Sequence, residues 1–246
     1  MNADPAAQLR LLDLQAADTA LAQLAHRRAT LPELAALAER EKRGTELHNE
    51  AIDAETLLAD IVDEQRKLEN EVDAVRTRAS RDEQRLQSGG LPAKELESLQ
   101  HEVTSLARRQ SALEDDLLEV MERHEEADAR LAEVSAARAA LDAERAELEA
   151  AGDAAFAEID AAVTARGAER SAIAGDLPAD LLALYEKARE HGGGVGAAML
   201  RQRRCEGCRI ELSGAELSAV RAAEPDAVVR CEECRRILVR TAESGL

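Results

Sequence analysis

The sequence contains almost no aromatic residues: one Phe, one Tyr and no Trp among 246 residues. This scarcity excludes an ordinary globular core built on large rings. Hydrophobic residues still make up 45% of the chain, mainly as Ala, Leu and Val, and charged residues make up 33%. Such a composition is typical of long helices that pack along narrow seams, and it is not typical of an enzyme with a pocket.

Long hydrophobic runs are missing as well. No stretch of 18 apolar residues occurs, and the first residues lack the basic start and apolar stretch of a signal peptide. We therefore expect no membrane span, no export and a cytoplasmic location. Only five prolines and 13 glycines interrupt the chain, so these few positions should mark the joints between helices.

Basic residues are outnumbered by acidic ones, 32 to 50, which gives a net charge of -18. A field of this sign repels nucleic acid and anionic membranes unless a local patch overrides it. Residues 195–246 contain nine Arg and eight acidic residues, a balance of +1, whereas residues 1–194 carry -19. Only the C-terminal segment could therefore face a phosphate backbone.

Apolar positions recur at alternating steps of four and three residues over two long stretches, from Leu47 to Leu86 and from Leu96 toward Ile159. A sustained period of 3.5 residues is typical of left-handed coiled coils. Between the stretches, residues 88–92 (SGGLP) predict a tight reversal. Residues 6–87 and 91–173 thus predict two arms of an antiparallel hairpin, with Pro32 kinking or splitting the first arm. Because such seams can also pair between chains, the oligomeric state stays open.

Some seam positions are polar, and we interpret them as register markers or as long side chains that reach solvent from a thin core. An alternative role for His124, as a metal ligand or pH switch, lacks a second His or Cys at helical spacing. These positions are Gln65, Gln110, His124, Arg138 and Arg145.

A short helix is predicted over about 178–190, starting at an acidic residue and a proline and stopping at glycine. The following glycine run, residues 192–196, predicts a flexible hinge or the start of a strand. A phosphate-binding loop is disfavoured because no Lys-Ser or Lys-Thr follows and no strand pattern precedes. Tyr185 is predicted to anchor this helix on its neighbours, a binding surface being the alternative.

All four cysteines lie in the last 42 residues as two CxxC pairs, Cys205 with Cys208 and Cys231 with Cys234. Two such turns can present four thiolates to one tetrahedral Zn²⁺, and this leaves no open position for catalysis. Iron could use the same ligands. Disulfides would need an oxidising compartment, and a redox-active CxxC pair would need a thioredoxin-like unit. Ser213 begins a capping-box helix that would run to about Ala223.

Arginines surround both cysteine pairs and are predicted to contact nucleic acid or an acidic protein. The alternative is that they solubilise a small domain or pair with the acidic coil. The candidates are Arg201, Arg203, Arg204, Arg230, Arg235, Arg236 and Arg240.

Three segments resemble the bacterial C4-type zinc-ribbon, coiled-coil domain proteins. They are residues 88–122 (SGGLPAKELESLQHEVTSLARRQSALEDDLLEVME), 185–214 (YEKAREHGGGVGAAMLRQRRCEGCRIELSG) and 228–240 (VVRCEECRRILVR). The four cysteines fall on the family's metal positions, and this sequence has Arg235 where the family usually has Gly. The resemblance implies a kinked helical hairpin with a terminal ribbon. Members are described as nucleic-acid-binding or adaptor proteins, some of them tied to flagellar or secretion factors and to RNA.

We therefore predict a mainly α protein: a long antiparallel coiled-coil hairpin over residues 1–175, a linking helix and glycine hinge over 176–194, and a small four-cysteine zinc ribbon over 195–246. The predicted function is a non-enzymatic adaptor that binds proteins through the coil, with nucleic-acid contact through the ribbon as an additional role. The alternative is a regulator that binds RNA or DNA through the ribbon arginines.

Overall fold

The computed structural model describes all 246 residues and confirms the predicted fold class: a long helical hairpin, broken near Pro32, followed by a small C-terminal region of short strands. No helix in it is both long enough and apolar enough to cross a membrane. The helices are α1 Pro5–Ala29, α2 Pro32–Ser88, α3 Ala93–Gly175, α4 Ala179–His191 and α5 Gly214–Ala222. The strands are β1 Ala197–Arg201, β2 Arg204–Cys205, β3 Val229–Arg230 and β4 Ile237–Val239.

The two joints of the hairpin lie at the residues that the sequence indicates. Helix α1 ends before Thr30, and α2 begins at Pro32, where the missing N–H of proline costs no helical hydrogen bond. Pro32 therefore splits the first arm into two helices. Between α2 and α3, Gly89 and Gly90 have φ angles of 70° and 83°, a left-handed conformation that glycine adopts without strain.

The chain divides into two compact units, and residues 35–149 form one of them. Its core is the seam between α2 and α3, where Leu47, Ile61 and Val72 are among the buried residues. Ion pairs such as Glu50 with Arg130 cross from one helix to the other beside the seam. These pairs are solvent-exposed, so each contributes less than about 1 kcal/mol, and the buried apolar seam holds the helices together.

The polar seam positions are half-buried or exposed, and their role as register markers stays a prediction. Gln65 and Gln110 are half-buried and donate to the glutamates one turn later, while Arg138 is exposed. His124 is half-buried, and the only group of residues arranged to hold a metal ion is the cysteine cluster. The structure therefore gives no support to His124 as a metal ligand.

Residues 1–34 and 150–246 form the other unit, which contains the sheet. The strand order is β2-β1-β4-β3, with β1 and β4 parallel and the outer strands antiparallel to their neighbours. Successive side chains of β1 and β4 point to opposite faces. One face packs on a helical cluster from α1, α3 and α4 that includes Leu14, Ile173 and Tyr185. The other face packs on a ribbon cluster that includes Cys205 and Cys231. The two central strands, β1 and β4, are thus covered on both faces.

The predicted linking helix is confirmed as α4, and the glycine run after it leads directly into β1. Gly193 and Gly194 take φ angles of 65° and 93°. At Gly196 a Cβ atom would lie 2.6 Å from the carbonyl oxygen of Tyr185, so only glycine permits this approach. The capping-box helix is confirmed as α5, with Ser213 and Glu216 exchanging hydrogen bonds.

Candidate metal centre and its supporting contacts

The two CxxC segments fold into matching turns. In each turn, the N–H of the fourth residue after the first cysteine donates to the carbonyl of that cysteine: Arg209 to Cys205 at 2.7 Å, and Arg235 to Cys231 at 2.9 Å. Both arginines have a φ of 62°, the conformation that glycine favours. The second turn therefore closes with Arg235 as tightly as the first closes with Arg209.

The four sulfur atoms form a set with the dimensions of a tetrahedral metal site. All lie within 4.8 Å of one another, and the Cys205–Cys234 and Cys208–Cys231 Sγ distances are 3.8 and 3.9 Å. Zn–S bonds of about 2.3 Å in a tetrahedron give S–S separations of roughly 3.8 Å. A disulfide would need about 2.0 Å, and all four cysteines are free. The disulfide alternative is therefore wrong, and the residues fit one structural Zn²⁺.

The surroundings of the sulfurs favour a bound cation over free thiols. Burial raises the pKa of the Cys205 and Cys231 thiols, although backbone N–H groups that point at these sulfurs partly oppose the effect. At Cys234, burial also opposes ionisation, but the backbone N–H of Arg236 and the neighbouring thiols together lower the pKa. A divalent ion would supply the charge that keeps the four sulfurs ionised, two in buried and two in half-buried residues. Its role with four thiolate ligands is structural.

Arg236 supports the metal turn from inside the protein. Its guanidinium group donates to the backbone carbonyls of Gly192, Val195 and Gly207 at 2.5–3.1 Å. These carbonyls belong to the end of α4, the approach to β1 and the first CxxC turn. A Cβ atom at Gly207 would lie 2.7 Å from the Arg236 side chain, which explains glycine at this position. Arg236 therefore joins the metal turn to the helices.

Arg240 is also turned inward. Its guanidinium donates to the carbonyls of Ala223, Glu224, Pro225 and Ala227 at 2.7–3.0 Å, at the C-terminal end of α5 and in the loop that follows. Backbone carbonyls thus already occupy the guanidinium donors of Arg236 and Arg240, two of the seven candidates for contact with nucleic acid or an acidic protein.

The other five candidate arginines are exposed. Arg201 pairs with Glu243, and Arg203 and Arg230 each donate to one backbone carbonyl. Arg204 and Arg235 make no side-chain hydrogen bond or ion pair within the protein. Contact between these five residues and nucleic acid or an acidic partner stays a prediction.

A buried polar cluster lies beneath the sheet, and no sequence motif indicates it. The Asp18 carboxylate, whose side chain is 3% exposed, accepts hydrogen bonds from Tyr185 Oη at 2.7 Å and Arg170 Nε at 2.8 Å. Gln15 Oε1 accepts from the Gly196 N–H at 2.7 Å and from the Tyr185 hydroxyl at 3.1 Å. The cluster thus links α1, α3, α4 and the start of β1.

The charges of this cluster are balanced internally. Burial, and next the hydrogen bond to Asp18, raise the pKa of Tyr185, while the hydrogen bond to Asp18 raises the pKa of Arg170. Arg170 also pairs with Glu186. Tyr185 is fully buried, so the predicted anchoring role is confirmed. Of this cluster, only Tyr185 stood out in the sequence, because Gln15 and Asp18 fit no local motif.

Comparison with protein families gives two matches that together cover most of the chain. The family model described as CT398-like coiled coil hairpin domain matches residues 14–193. The model described as C4-type zinc ribbon domain matches residues 204–238. The cysteine set described above lies within the second match.

Similar proteins are found in mycobacteria. The protein named Uncharacterized protein Rv2229c, from Mycobacterium tuberculosis, is 44% identical over 244 residues, which is 98% of both chains. Uncharacterized protein ML1638, from Mycobacterium leprae, is 33% identical over 222 residues, covering 88% of this chain and 93% of the relative.

Solved structures share the fold. A Mycobacterium smegmatis structure has a TM-score of 0.86 at 39% identity and covers 98% of this chain and 100% of its own. The structure of CT398 from Chlamydia trachomatis has a TM-score of 0.68 at 18% identity, covering 96% and 98%. At that identity the second likeness supports the fold alone.

Proposed function

Because this chain belongs to the family of CT398-like coiled-coil hairpin proteins with a C4-type zinc ribbon, we propose that it is a non-enzymatic adaptor of the cytoplasm. The hairpin would bind protein partners, and the zinc ion would keep the ribbon folded. The observation that carries the proposal is a contrast between two parts of the molecule. Four sulfur ligands close the metal site to substrate, whereas residues 35–149 present long exposed helical faces.

Affinity capture with the full-length, zinc-loaded protein tests the adaptor function. The bait is used on lysate of the native organism, with and without nuclease treatment, next to resin without bait. We expect a small, reproducible set of proteins that nuclease does not release. Retention only of nucleic acid, or of proteins that nuclease removes, would contradict the adaptor role.

A second candidate function is binding of RNA or DNA through the ribbon. It is favoured by the +1 balance of residues 195–246 and by the two exposed arginines without internal partners, Arg204 and Arg235. Phosphate contacts by arginine give an affinity that falls steeply as salt rises.

The double variant Arg204→Glu, Arg235→Glu tests this second function. With labelled single-stranded RNA and duplex DNA, fluorescence anisotropy at about 50 and 200 mM salt should show binding by the parent protein that weakens by at least about tenfold in the variant. The double variant Arg66→Glu, Arg108→Glu, at two exposed positions of the hairpin, is the charge-matched control and should bind as the parent does. Equal affinity of the ribbon variant and the control would reject ribbon-mediated binding.

A further inference from the structure

The negative charge of the hairpin is concentrated in one section. Residues 50–73 of α2 and 111–134 of α3, here called the central section, together contain 18 acidic and four basic residues, a net charge of -14. Residues 74–110, around the reversal, contain five acidic and seven basic residues, a net of +2. The sign of the charge therefore changes along the hairpin.

The same section exposes large apolar side chains. Five of them are 41–59% exposed, whereas the rest of residues 35–149 adds only one, at 37%. Clustered exposed apolar residues are characteristic of interaction surfaces, and scattered single ones are not. The five are Ile52, Leu57, Val62, Leu118 and Met121, and the one outside the central section is Leu96.

Three of these side chains lie on one side of the helix pair. In the seam, Ile61 of α2 packs with Val120 of α3. Val62 directly follows Ile61 in the sequence, and Met121 directly follows Val120. Each such step turns the side-chain direction by about 100° around the helix axis. Because the helices are antiparallel, both steps lead to the same side of the pair. Leu118 lies one turn before Met121 on that side. We call Val62, Leu118 and Met121 the apolar strip.

Carboxylates without partners border the apolar strip. Glu55 lies seven residues before Val62. Glu125 and Asp128 lie four and seven residues after Met121. All three carboxylates therefore lie on the side of the helix pair that carries the apolar strip. None of the three has a basic side chain within 4.0 Å, although 24 ion pairs occur elsewhere in the chain. Unpaired like charges beside an exposed apolar surface leave both the charge and the apolar area available to a partner.

We propose that the apolar strip and its acidic border are the docking site for a basic amphipathic helix of another protein. This proposal rests on the adaptor function and specifies the surface that performs it. An amphipathic helix offers apolar anchors at steps of three and four residues, which match a strip of this kind. Its Lys and Arg residues would pair with the border carboxylates. Nucleic acid is repelled here, and a second copy would present the same negative surface.

The test measures the binding of synthetic peptides to the full-length, zinc-loaded protein. The probe is a fluorescein-labelled Leu/Lys peptide of about 18 residues with its leucines on one helical face. One comparison peptide has the same composition in scrambled order, and another replaces Lys by Glu. Fluorescence anisotropy should show the amphipathic basic peptide binding at least about tenfold more tightly than the scrambled peptide, with no binding of the acidic one.

The double variant Leu118→Gln, Met121→Gln should weaken this binding by about tenfold or more. Both positions are exposed, so the helical circular-dichroism signal and the thermal midpoint should stay unchanged. The single variant Leu96→Gln, at an exposed leucine outside the central section, is the control and should bind the peptide as the parent does.

Three results would overturn the docking site: equal binding of the scrambled peptide, no effect of the double variant, or a solution dimer that the double variant dissociates. The last result would make the strip an interface between copies of this chain. Failure of the docking site is separable from failure of the adaptor function. If the double variant captures the same proteins from lysate as the parent, the adaptor function stands and the docking site is rejected.

Discussion

Arg209 and Arg235 show how the metal turns tolerate an unfavourable backbone. Each follows a CxxC pair with a φ of 62°, where the Cβ of an L-residue crowds the following carbonyl oxygen at a cost of roughly 1–2 kcal/mol. Hydrogen bonds across the turn and sulfur–metal bonds offset that cost. Glycine at the Arg235 position would avoid it.

Arg235→Gly should therefore stabilise the zinc-loaded protein, by up to about 1 kcal/mol after the added chain entropy of glycine is subtracted. Chemical unfolding of the loaded protein measures the change. Arg204→Gly is the control, because Arg204 lies in β2, where glycine weakens a strand. A lower free energy of unfolding for Arg235→Gly than for the parent would refute the strain argument.

Asp18 is the residue whose loss we expect to cost most outside the metal site. Asp18→Ala removes the buried carboxylate that binds both Arg170 and the Tyr185 hydroxyl, and leaves them only Glu186 and Gln15 as partners. We expect it to destabilise the protein by about 3 kcal/mol. Asp13→Ala, which removes an exposed partner of Arg10 on the same helix, should cost less than about 0.5 kcal/mol. Urea unfolding followed by circular dichroism compares the two. Similar costs for both variants would show that the cluster is not a stabilising unit.

Among the elements, strands β1 and β4 pack against a cluster on each face, and the Arg236 side chain binds the segment that leads into β1. Three carbonyls from three different segments converge on its planar group. A lysine has the same charge but cannot present donors in this fixed fork. The metal turn and the end of α4 should therefore loosen together when the guanidinium is lost.

Arg236→Lys is expected to release zinc to a chelating dye several times faster than the parent protein, with a stability loss of about 2 kcal/mol. Arg235→Lys, an exposed position next in sequence, should leave the rate unchanged. Stopped-flow absorbance measurements with excess dye give the zinc-release rates of both variants. Matching rates in the two variants would mean that Arg236 does not support the metal turn.

Sequence periodicity predicted the hairpin seam because the spacing of residues such as Leu47 and Val72 depends only on the local helix. The metal ligands were predictable because thiolate chemistry fixes the CxxC spacing. The Asp18 cluster was not predictable, since its partner Arg170 lies 152 residues away. The inward turn of Arg236 likewise depends on a carbonyl 44 residues distant. The division into residues 1–175, 176–194 and 195–246 stays a prediction.

For the molecule as a whole, Tyr185 is a natural optical reporter, because the chain has no other Tyr and no Trp. Burial and then the Asp18 carboxylate raise the pKa of Tyr185, so the folded state keeps the phenol neutral. An unfolded tyrosine ionises near pH 10. The group therefore contributes stability below about pH 10, and this contribution is lost as the pH rises further.

In an alkaline titration, tyrosinate absorbance should appear only together with loss of the helical circular-dichroism signal. The same protein in concentrated urea is the control and should titrate near pH 10. Ionisation of the phenol near pH 10 with the helical signal intact would show that Tyr185 is accessible and not bonded to Asp18.

The first residues of the chain are joined to the ribbon. The Ala3 N–H donates to Asp226 O, the Met1 carbonyl accepts from the Val228 N–H, and Gln15 on α1 binds the N–H of Gly196. During synthesis, α1 therefore remains without its contacts to residues 196–239 until that stretch has been made. Closing so large a loop is entropically slow. The apolar side of α1 should thus be the surface most in need of chaperone protection during synthesis.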